Sequence, residues 1–287
     1  MKQLLIISGK GGTGKTTVAG AFIKLLQARA YADCDVDAPN LHLIVNHSGK
    51  AEKKEYHGLP KAHIAANLCI KCGLCEQNCR FDAIHHGQSF YIDDYACEGC
   101  GVCQYVCPAS AISLREKTAG ELMLYKNNSV FSTAQLKMGN GTSGMLVSEV
   151  KKQMKDAAAK DVTIAIIDGS PGIGCPVIAS LSGVDLALIV TEPSISGISD
   201  LIRMIKTARQ LGTAIAVCIN KYDTNLKNTN TIEKYCSDNK IAFVGKIPYD
   251  KNAITAINDG KSIVDVDCPA ANAIKKVFNN TLIIKEL

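Results

Sequence analysis

The chain has 287 residues, thirteen of them cysteines, and its 32 Lys and Arg side chains outnumber its 27 Asp and Glu side chains by five. This length suits one large α/β domain, or one domain with a smaller insertion. The weak basic excess is compatible with anionic ligands but gives no support for a nucleic-acid partner.

The N-terminus and the hydropathy pattern bear on where the protein works. Met1 leads straight into a strand-like segment without the pattern of a signal peptide. No apolar stretch approaches the roughly 18 residues that a membrane helix needs. We therefore expect a cytoplasmic protein without stable membrane association.

The predicted elements begin with a buried strand at residues 4–7 and a helix over residues 15–29. Continuous apolar runs that alternate with helical patterns indicate a parallel sheet covered on both faces. We predict a doubly wound, mostly parallel α/β domain formed by residues 1–59 and 117–287. The later runs lie at residues 162–167, 186–190, 215–219 and 241–244, with a helix over residues 196–211.

A phosphate-binding loop is predicted between the first strand and the first helix. The segment fits the pattern G-x-x-x-x-G-K-[ST] in the strand–loop–helix context that the pattern requires. Its glycines allow backbone N–H groups to converge on phosphates, Lys15 bridges terminal phosphates, and Thr16 offers a hydroxyl to Mg²⁺. The residues of the pattern are Gly9, Lys10, Gly11, Gly12, Thr13, Gly14, Lys15 and Thr16.

Two acidic segments belong to the same chemistry. Asp168 ends a buried-strand pattern, as a Walker B aspartate does, and residues 169–172 follow it as a flexible switch. Three acids, Asp33, Asp35 and Asp37, follow the first helix, and Asp35 is the candidate for orienting water or Mg²⁺. An acid after a strand is by itself often a turn residue or helix cap, but the phosphate loop favours the nucleotide interpretation.

Residues 10–17 (KGGTGKTT), 33–43 and 168–177 resemble the deviant Walker A motif, switch I and switch II of the MinD/ParA/Mrp/nitrogenase iron protein superfamily of P-loop ATPases. The resemblance implies ATP with Mg²⁺, a nucleotide-dependent homodimer and partner-stimulated hydrolysis. It also implies that the second lysine, Lys10, reaches across the dimer to the partner's nucleotide. The catalytic set would be Lys10, Lys15, Asp35 and Asp168.

The resemblance implies further nucleotide contacts, with one alternative for the base. The sequence N-K-x-D at residues 220–223 matches a guanine-reading motif, whereas in the resembled superfamily the corresponding asparagine contacts adenine. We favour ATP, and GTP stays open. The expected nucleotide contacts are Gly9, Gly11, Gly12, Thr13, Gly14, Lys15, Thr16, Thr17, Gly172, Asn220 and Pro248.

Two runs of the form C-x₂-C-x₂-C-x₃-C lie 28 residues apart in an internal repeat. They resemble a bacterial two-cluster ferredoxin, in which the fourth cysteine of each run binds the other run's [4Fe–4S] cluster. We therefore predict a small inserted α+β ferredoxin-like domain at residues 60–116, with zinc as the alternative metal. One ligand set would be Cys69, Cys72, Cys75 and Cys107, and the other Cys97, Cys100, Cys103 and Cys79.

Two details of the cysteine pattern stay open. Pro108 follows the second run, but Arg80 occupies the matching place after the first. Cys175 lies in the switch II segment, where the nitrogenase iron protein carries a cluster ligand, although a small buried residue is the plainer interpretation.

The combined motifs predict an ATP-hydrolysing iron–sulfur protein. The first hypothesis is a nucleotide-gated dimer that couples ATP state to electron transfer toward a redox partner protein. The second is an iron–sulfur cluster assembly or carrier ATPase of the Mrp type, and the third is a redox-sensing positioning ATPase. The C-terminal residues 273–287 are less basic and less amphipathic than a membrane-targeting helix of the MinD type, which disfavours the third hypothesis.

Overall fold

The computed structural model describes residues 1–45, 47, 49–284 and 287. Internal contacts divide the chain into two compact units, which the chain passes between four times. The large unit contains Met1–Lys53, Leu122–Gln135 and Gly144–Leu287, and the small unit contains Lys54–Glu121 and Leu136–Ser143. The domain boundaries predicted from the sequence, at residues 60 and 116, stay a prediction.

The described residues form strands and helices throughout both units. The strands are β1 (Lys2–Ile7), β2 (Ala30–Asp33), β3 (Glu52–His57), β4 (Lys61–Ile64), β5 (Ile84–His86), β6 (Phe90–Ile92), β7 (Ile112–Arg115), β8 (Thr118–Lys126), β9 (Val130–Leu136), β10 (Ile164–Asp168), β11 (Leu186–Thr191), β12 (Ala214–Asn220) and β13 (Ala242–Ile247). The α-helices are α1 (Lys15–Leu26), α2 (Leu74–Gln77), α3 (Val102–Tyr105), α4 (Ser143–Ala157), α5 (Cys175–Leu181), α6 (Ile195–Gln210), α7 (Leu226–Asp238), α8 (Lys251–Asn258) and α9 (Pro269–Leu282).

A nine-stranded sheet has the order β13-β12-β11-β1-β10-β2-β9-β8-β3. Every neighbouring pair from β13 to β9 is parallel. Leu4, Leu5, Ile6 and Ile7 of β1 are all fully buried, because a central parallel strand is covered on both faces. The predicted mostly parallel α/β fold is therefore confirmed.

Helices α1 and α9 pack against each other and contribute to the main hydrophobic core. The rings of Phe22 and Phe278 meet edge to face with centroids 5.1 Å apart, a favourable aromatic geometry. Ile274 and Val277 of α9 are buried in the same core. Helix α9 is thus packed on the core, whereas Ile283 just after it is 78% exposed. Residues 285 and 286 lie outside the described residues.

Strands β3, β8 and β9 were not predicted from the sequence. Strand β9 pairs in parallel with β2, and its residues 130–134 are all buried. Strand β2 has only four residues. Its two neighbours in the sheet, β9 and β10, both come much later in the chain.

The small unit repeats its backbone conformation at the 28-residue spacing of its cysteines. Helices α2 and α3 occupy equivalent positions, and each follows a left-handed glycine, Gly73 at φ 76° and Gly101 at φ 78°. Lys71 and Gly99 form a second left-handed pair, at φ 58° and 68°. Two antiparallel pairs, β4 with β7 and β5 with β6, complete the unit.

Candidate functional site

The loop between β1 and α1 borders an open cavity. Gly12 and Gly14 have left-handed φ angles of 77° and 90°, which suit glycine. A Cβ atom on Gly14 would lie 2.3 Å from Nδ2 of Asn220, so a larger residue would strain this turn and displace the Asn220 amide. The empty space measures about 1010 Å³, part of it open to solvent. Its lining consists of Ser8, Lys10, Gly11, Gly12, Thr13, Gly14, Lys15, Thr16, Thr17, Asp35, Asn40, Leu43, Ile44, Pro171 and Ile257.

Two residues that were predicted to contact the nucleotide, Gly9 and Gly172, lie outside the lining of this cavity. Gly9 does not line this cavity, and a Cβ atom there would lie 2.3 Å from Cβ of Asp200. Gly172 has a φ of 100° and donates its N–H to the carbonyl oxygen of Ser8 at 3.0 Å. Gly9 therefore permits close packing against Asp200, whereas Gly172 is needed for its left-handed turn and has open space around it.

A buried ion pair joins the loop to the end of β10. Nζ of Lys15 lies 2.6 Å from Oδ1 of Asp168, and the two side chains are only 6% and 1% exposed. Burial by itself would lower the pKa of Lys15, but Asp168 raises it above its ordinary value. Oδ2 of Asp168 and Oγ1 of Thr13 are buried and have no hydrogen-bond partner within the described part of the chain. Such orphaned atoms suit a site that is completed by a ligand or ion.

Asp33 is a buried residue whose role the sequence analysis missed. Its carboxylate accepts backbone N–H bonds from Asp35, Asn40 and Leu41 at 2.9–3.0 Å, and thereby shapes the loop after β2. Burial, reinforced by the charge of Asp168, raises the pKa of Asp33 to about 7. In the sequence, its position at the carboxyl end of a strand was the feature that could have marked Asp33 as a site residue.

Asp35, the predicted water- or Mg²⁺-orienting residue, lines the cavity. It is partly buried, and this burial raises the pKa of its carboxyl group. Asp33 and Asp35 thus divide two tasks, because one holds the loop while the other faces the open space.

Hydrogen bonds connect the two predicted switch segments. The N–H of Cys34 donates to the carbonyl oxygen of Asp168 at 2.8 Å. In the other direction, the hydroxyl of Ser170 donates to the carbonyl oxygen of Cys34. A displacement of either segment must therefore break or carry along its contacts with the other.

Lys151 connects α4 to α5, the helix that follows the second switch segment. Its ammonium group donates to the carbonyl oxygens of Ala179, Ser180 and Ser182 at 3.1, 2.8 and 2.6 Å. These carbonyls lie at the end of α5, where backbone acceptors lack helical partners. Burial lowers the pKa of Lys151. Lys151 of α4 thus caps the C-terminal end of the neighbouring helix α5.

The second lysine of the loop, Lys10, is paired within its own chain. Its Nζ lies 2.5 Å from Oε1 of Glu192 and 3.3 and 3.2 Å from the hydroxyls of Ser194 and Ser196. Oε2 of Glu192 lies 3.6 Å from Nζ of Lys221. Burial would raise the pKa of Glu192, but its bond to Lys10 and the two lysine charges lower it overall. Sequence analysis missed Glu192, since no local pattern marks it.

A second cavity adjoins the phosphate loop and contains Asn220 and Pro248, both predicted to contact the base. Nδ2 of Asn220 donates to the carbonyl oxygen of Thr13 at 2.7 Å, so the residue also holds the loop. Ile254, Ile257 and other apolar side chains supply a surface suited to a flat ring. Besides these, the lining includes Gly12, Gly14, Thr17, Val18, Lys221, Ile247, Tyr249, Asp250, Ala253, Ala270 and Ile274.

The small unit contains two cavities, each lined by four cysteines. Every set takes three cysteines from one run and the fourth from the other, as the ferredoxin resemblance implies. One set is Cys69, Cys72, Cys75 and Cys107, and the other is Cys79, Cys97, Cys100 and Cys103. The empty spaces measure about 330 and 350 Å³, part of them open to solvent.

Within the described residues, no three His, Cys, Asp or Glu side chains are gathered closely enough to hold a single metal ion. All eight thiols are free of disulfides. Burial raises the pKa of Cys75 and of Cys103, so these thiols need a metal or another positive group to become thiolates near neutral pH.

Arg80 and Cys175, the two residues of the cysteine pattern that were left open, both lie at the surface. Arg80 is exposed and lines neither cysteine cavity. Cys175 is the first residue of α5 and is exposed, so the expectation of a small buried residue there is wrong.

None of the helices in the described ranges is long and apolar enough to cross a membrane.

Comparison with known proteins assigns the class. Residues 4–263 match the model of the CobQ/CobB/MinD/ParA nucleotide binding domain, and the chain belongs to this family. The "Uncharacterized protein MJ0578" of Methanocaldococcus jannaschii is 31% identical over 96% of this chain and 95% of that protein. The solved McdA(D38A)–ATP complex of Cyanothece matches 100% of this chain and 98% of that chain, with a TM-score of 0.60 and 19% identity. At that identity the likeness concerns the fold alone.

Two partial matches concern iron–sulfur proteins. "Ferredoxin 7Fe" of Hydrogenibacillus schlegelii is 43% identical over 54 residues, which are 18% of this chain and 69% of that protein. "Iron-sulfur cluster carrier protein" of M. jannaschii is 25% identical over 141 residues, which are 45% of this chain and 49% of that protein.

The buried ion pair predicts an asymmetric effect on stability. Lys15→Met should lower the free energy of unfolding by about 3–5 kcal/mol, since it leaves buried carboxylates without their counter-charge. Lys24→Met is the matched control on the same helix, because its pair with Asp265 is half exposed and should cost at most about 1 kcal/mol. Urea unfolding without nucleotide measures both. Equal losses would contradict the interpretation of Lys15 as a buried structural charge.

Proposed function

We propose that the protein is an ATP-hydrolysing iron–sulfur protein that couples its nucleotide state to electron transfer with a protein partner. The observation that carries this proposal is the presence of two kinds of site in one chain. The large unit has a phosphate loop with a buried Lys15–Asp168 pair, and the small unit has two cavities with four cysteines each.

The loop residues suit a nucleoside triphosphate with Mg²⁺. Lys15 and the backbone N–H groups of residues 11–16 would hold the phosphates, and Thr16 and Asp168 would hold Mg²⁺ directly or through water. The unpartnered Oδ2 of Asp168 and Oγ1 of Thr13 are the structural support for this fit. Mg²⁺ would supply charge neutralisation on the phosphate oxygens. Asp35 would orient the attacking water, and the apolar second cavity would hold adenine.

The cysteine sets suit iron–sulfur clusters. A single Zn²⁺ with Zn–S bonds of about 2.3 Å would gather four sulfurs around one point. Each cavity here is lined by four cysteines, three from one run and one from the other, which supports the crossed ligation of a two-cluster ferredoxin. The partial match to a ferredoxin over 54 residues also supports iron–sulfur clusters in this chain. When bound, each cluster would accept or donate one electron.

Electron transfer is favoured over cluster delivery by the closed ligand sets. A carrier needs a labile site, whereas each cavity here has four cysteines of its own. The match to an iron–sulfur cluster carrier supports delivery as the second candidate function, and the exposed Cys175 is the residue that would serve it. Transfer of radiolabelled iron from the loaded protein to an apo-acceptor would favour the second candidate.

A nucleotide-dependent homodimer would give Lys10 its role. In the single chain, Lys10 lines the phosphate cavity but is bound to Glu192. To reach the partner's nucleotide, it must leave this carboxylate, so Glu192 acts as a competitor for the lysine. ATP from the facing subunit would supply the stronger anion.

A route for coupling runs through α4. The chain leaves the small unit at Ser143 and enters α4 directly. Within the large unit, Gly144 lies against the backbone of Cys175, and Lys151 caps the end of α5. A change at the second switch would thus reach the start of the segment that continues from the small unit.

Cysteine substitutions test the cluster assignment. The anaerobically purified protein should contain about eight iron and eight sulfide per chain. Cys79→Ala should remove the cluster of the second run, and the matched Cys107→Ala should remove that of the first. Iron analysis and EPR of each variant measure this result. Stoichiometric zinc without a visible chromophore would reject the assignment, and the opposite pairing of losses would reject the crossed ligation.

Lys10 and Glu192 are tested together. Lys10→Ala should still bind ATP but lose hydrolysis and the ATP-dependent dimer. Glu192→Gln should release Lys10 and strengthen ATP-dependent dimerisation, by up to about fivefold for each freed lysine if the pair is worth about 1 kcal/mol. Sedimentation with a non-hydrolysable ATP analogue measures the dimer. Glu233→Gln, which breaks a different surface pair with Lys246, should have no effect. An unchanged dimer in Glu192→Gln would contradict the competition.

The coupling itself is tested by redox titration. A non-hydrolysable ATP analogue with Mg²⁺ should shift the potential of at least one cluster, and about 60 mV corresponds to roughly 1.4 kcal/mol for one electron. Lys151→Met should weaken the shift, whereas Lys152→Met, an exposed neighbour on the same helix, should leave it intact. Anaerobic titration followed by EPR measures it. Identical potentials with and without nucleotide would contradict ATP-coupled electron transfer.

A further inference from the structure

The two halves of the small unit differ at the loop that carries the first two cysteines of each run. At equivalent positions, Ile70 and Lys71 in the first loop correspond to Glu98 and Gly99 in the second. Ile70 is 65% exposed and its neighbour Leu68 is 52% exposed. The first loop therefore presents an apolar and basic surface, whereas the second presents an acidic one.

The second loop is also covered by its own chain. A Cβ atom on Gly99 would lie 2.2 Å from the carbonyl oxygen of Pro60, so the preceding segment lies directly on the loop. The ammonium group of Lys61 donates to the carbonyl oxygen of Cys97. The repeat position of Gly99 on the first loop holds the long side chain of Lys71 instead, and Lys71 is exposed whereas Gly99 is half-buried.

Lys71 has a conformation that a lysine seldom adopts. Its φ of 58° lies in the left-handed region, which favours glycine and strains other residues. Its Nζ donates to the carbonyl oxygen of Gln88 at 3.0 Å, and the residue lines the first cysteine cavity. A strained lysine stands where the other half has glycine, and its charge is held beside the cavity.

We propose that the surface formed by Leu68, Ile70 and Lys71 is where a small acidic electron-carrier protein docks. Charge complementarity to Lys71 selects the carboxylates of the carrier, and the two exposed aliphatic side chains supply a small apolar contact of the kind found in transient redox complexes. This inference rests on the proposed function, because it requires the first cysteine set to hold a cluster.

The proposed step transfers one electron from the carrier to the cluster of the first cysteine set. The carrier's reduced flavin loses one electron, and the cluster held by Cys69, Cys72, Cys75 and Cys107 gains it. No bond forms between the proteins, and no atom is transferred. The carrier's own flavin supplies the reducing equivalent.

The test uses flavodoxin hydroquinone, an acidic flavin carrier, with the loaded full chain in anaerobic stopped flow. Lys71→Gly removes the charge and restores the residue of the other half, so it relieves strain and should retain both clusters. It should lower the second-order rate constant at low salt about three- to tenfold and flatten its salt dependence. Glu98→Gln, the control, should change the rate constant by less than about twofold.

A second variant and a separate readout keep the test decisive. Ile70→Ser should also slow the reaction, while reduction by dithionite, which needs no docking surface, should be unchanged in all variants. Equal rates for the wild type and Lys71→Gly, or a loss only in Glu98→Gln, would overturn the inference. A wild-type protein without iron and sulfide would instead overturn the proposed function on which it rests.

Discussion

The buried charges at the carboxyl ends of β2 and β10 impose the main constraint on this molecule. Asp33 and Asp168 are directly opposite each other in the register of these parallel strands, and both are almost completely buried. Two carboxylates in such an environment repel each other and are poorly solvated. Lys15 places a buried ammonium group 2.6 Å from Asp168. In the absence of a ligand, Lys15 therefore stabilises the carboxyl ends of both strands by offsetting this repulsion.

This constraint links binding to conformation. The same two strand ends begin the two switch segments, which are joined by bonds between Cys34, Asp168 and Ser170. Any ligand that draws Lys15 toward phosphate changes the balance of charge on both aspartates. The proposed function uses this property, because a phosphate-sensitive rearrangement at one point can reach α5, and through Lys151 can reach α4.

The sequence supports local predictions better than distant ones. The parallel fold follows from apolar runs, and the phosphate loop and the two cysteine runs could be named because their spacing is local. The crossed sets of four cysteines came instead from the resemblance to a ferredoxin. Glu192 and Lys151 were not assigned, since their partners lie about 180 and about 30 residues away in the chain. The role of Asp33 was missed because its burial opposite Asp168 arises only when β2 and β10 pair. Strands β8 and β9 were not predicted for a related reason, because β9 pairs with β2, and β8 with β9, only after the sheet has assembled.

The position of β2 has a consequence for the order in which the protein can be made. Its two neighbours, β9 and β10, both follow the cysteine runs in the chain. On a ribosome, all eight cysteines are therefore translated before the strands that pair with β2 have emerged. The first cysteine run, in turn, must await Cys107 for its fourth thiol. The nascent chain thus has all eight cysteines of the two runs while its phosphate-loop sheet is still open, so the clusters of the proposed function could be inserted before this sheet closes.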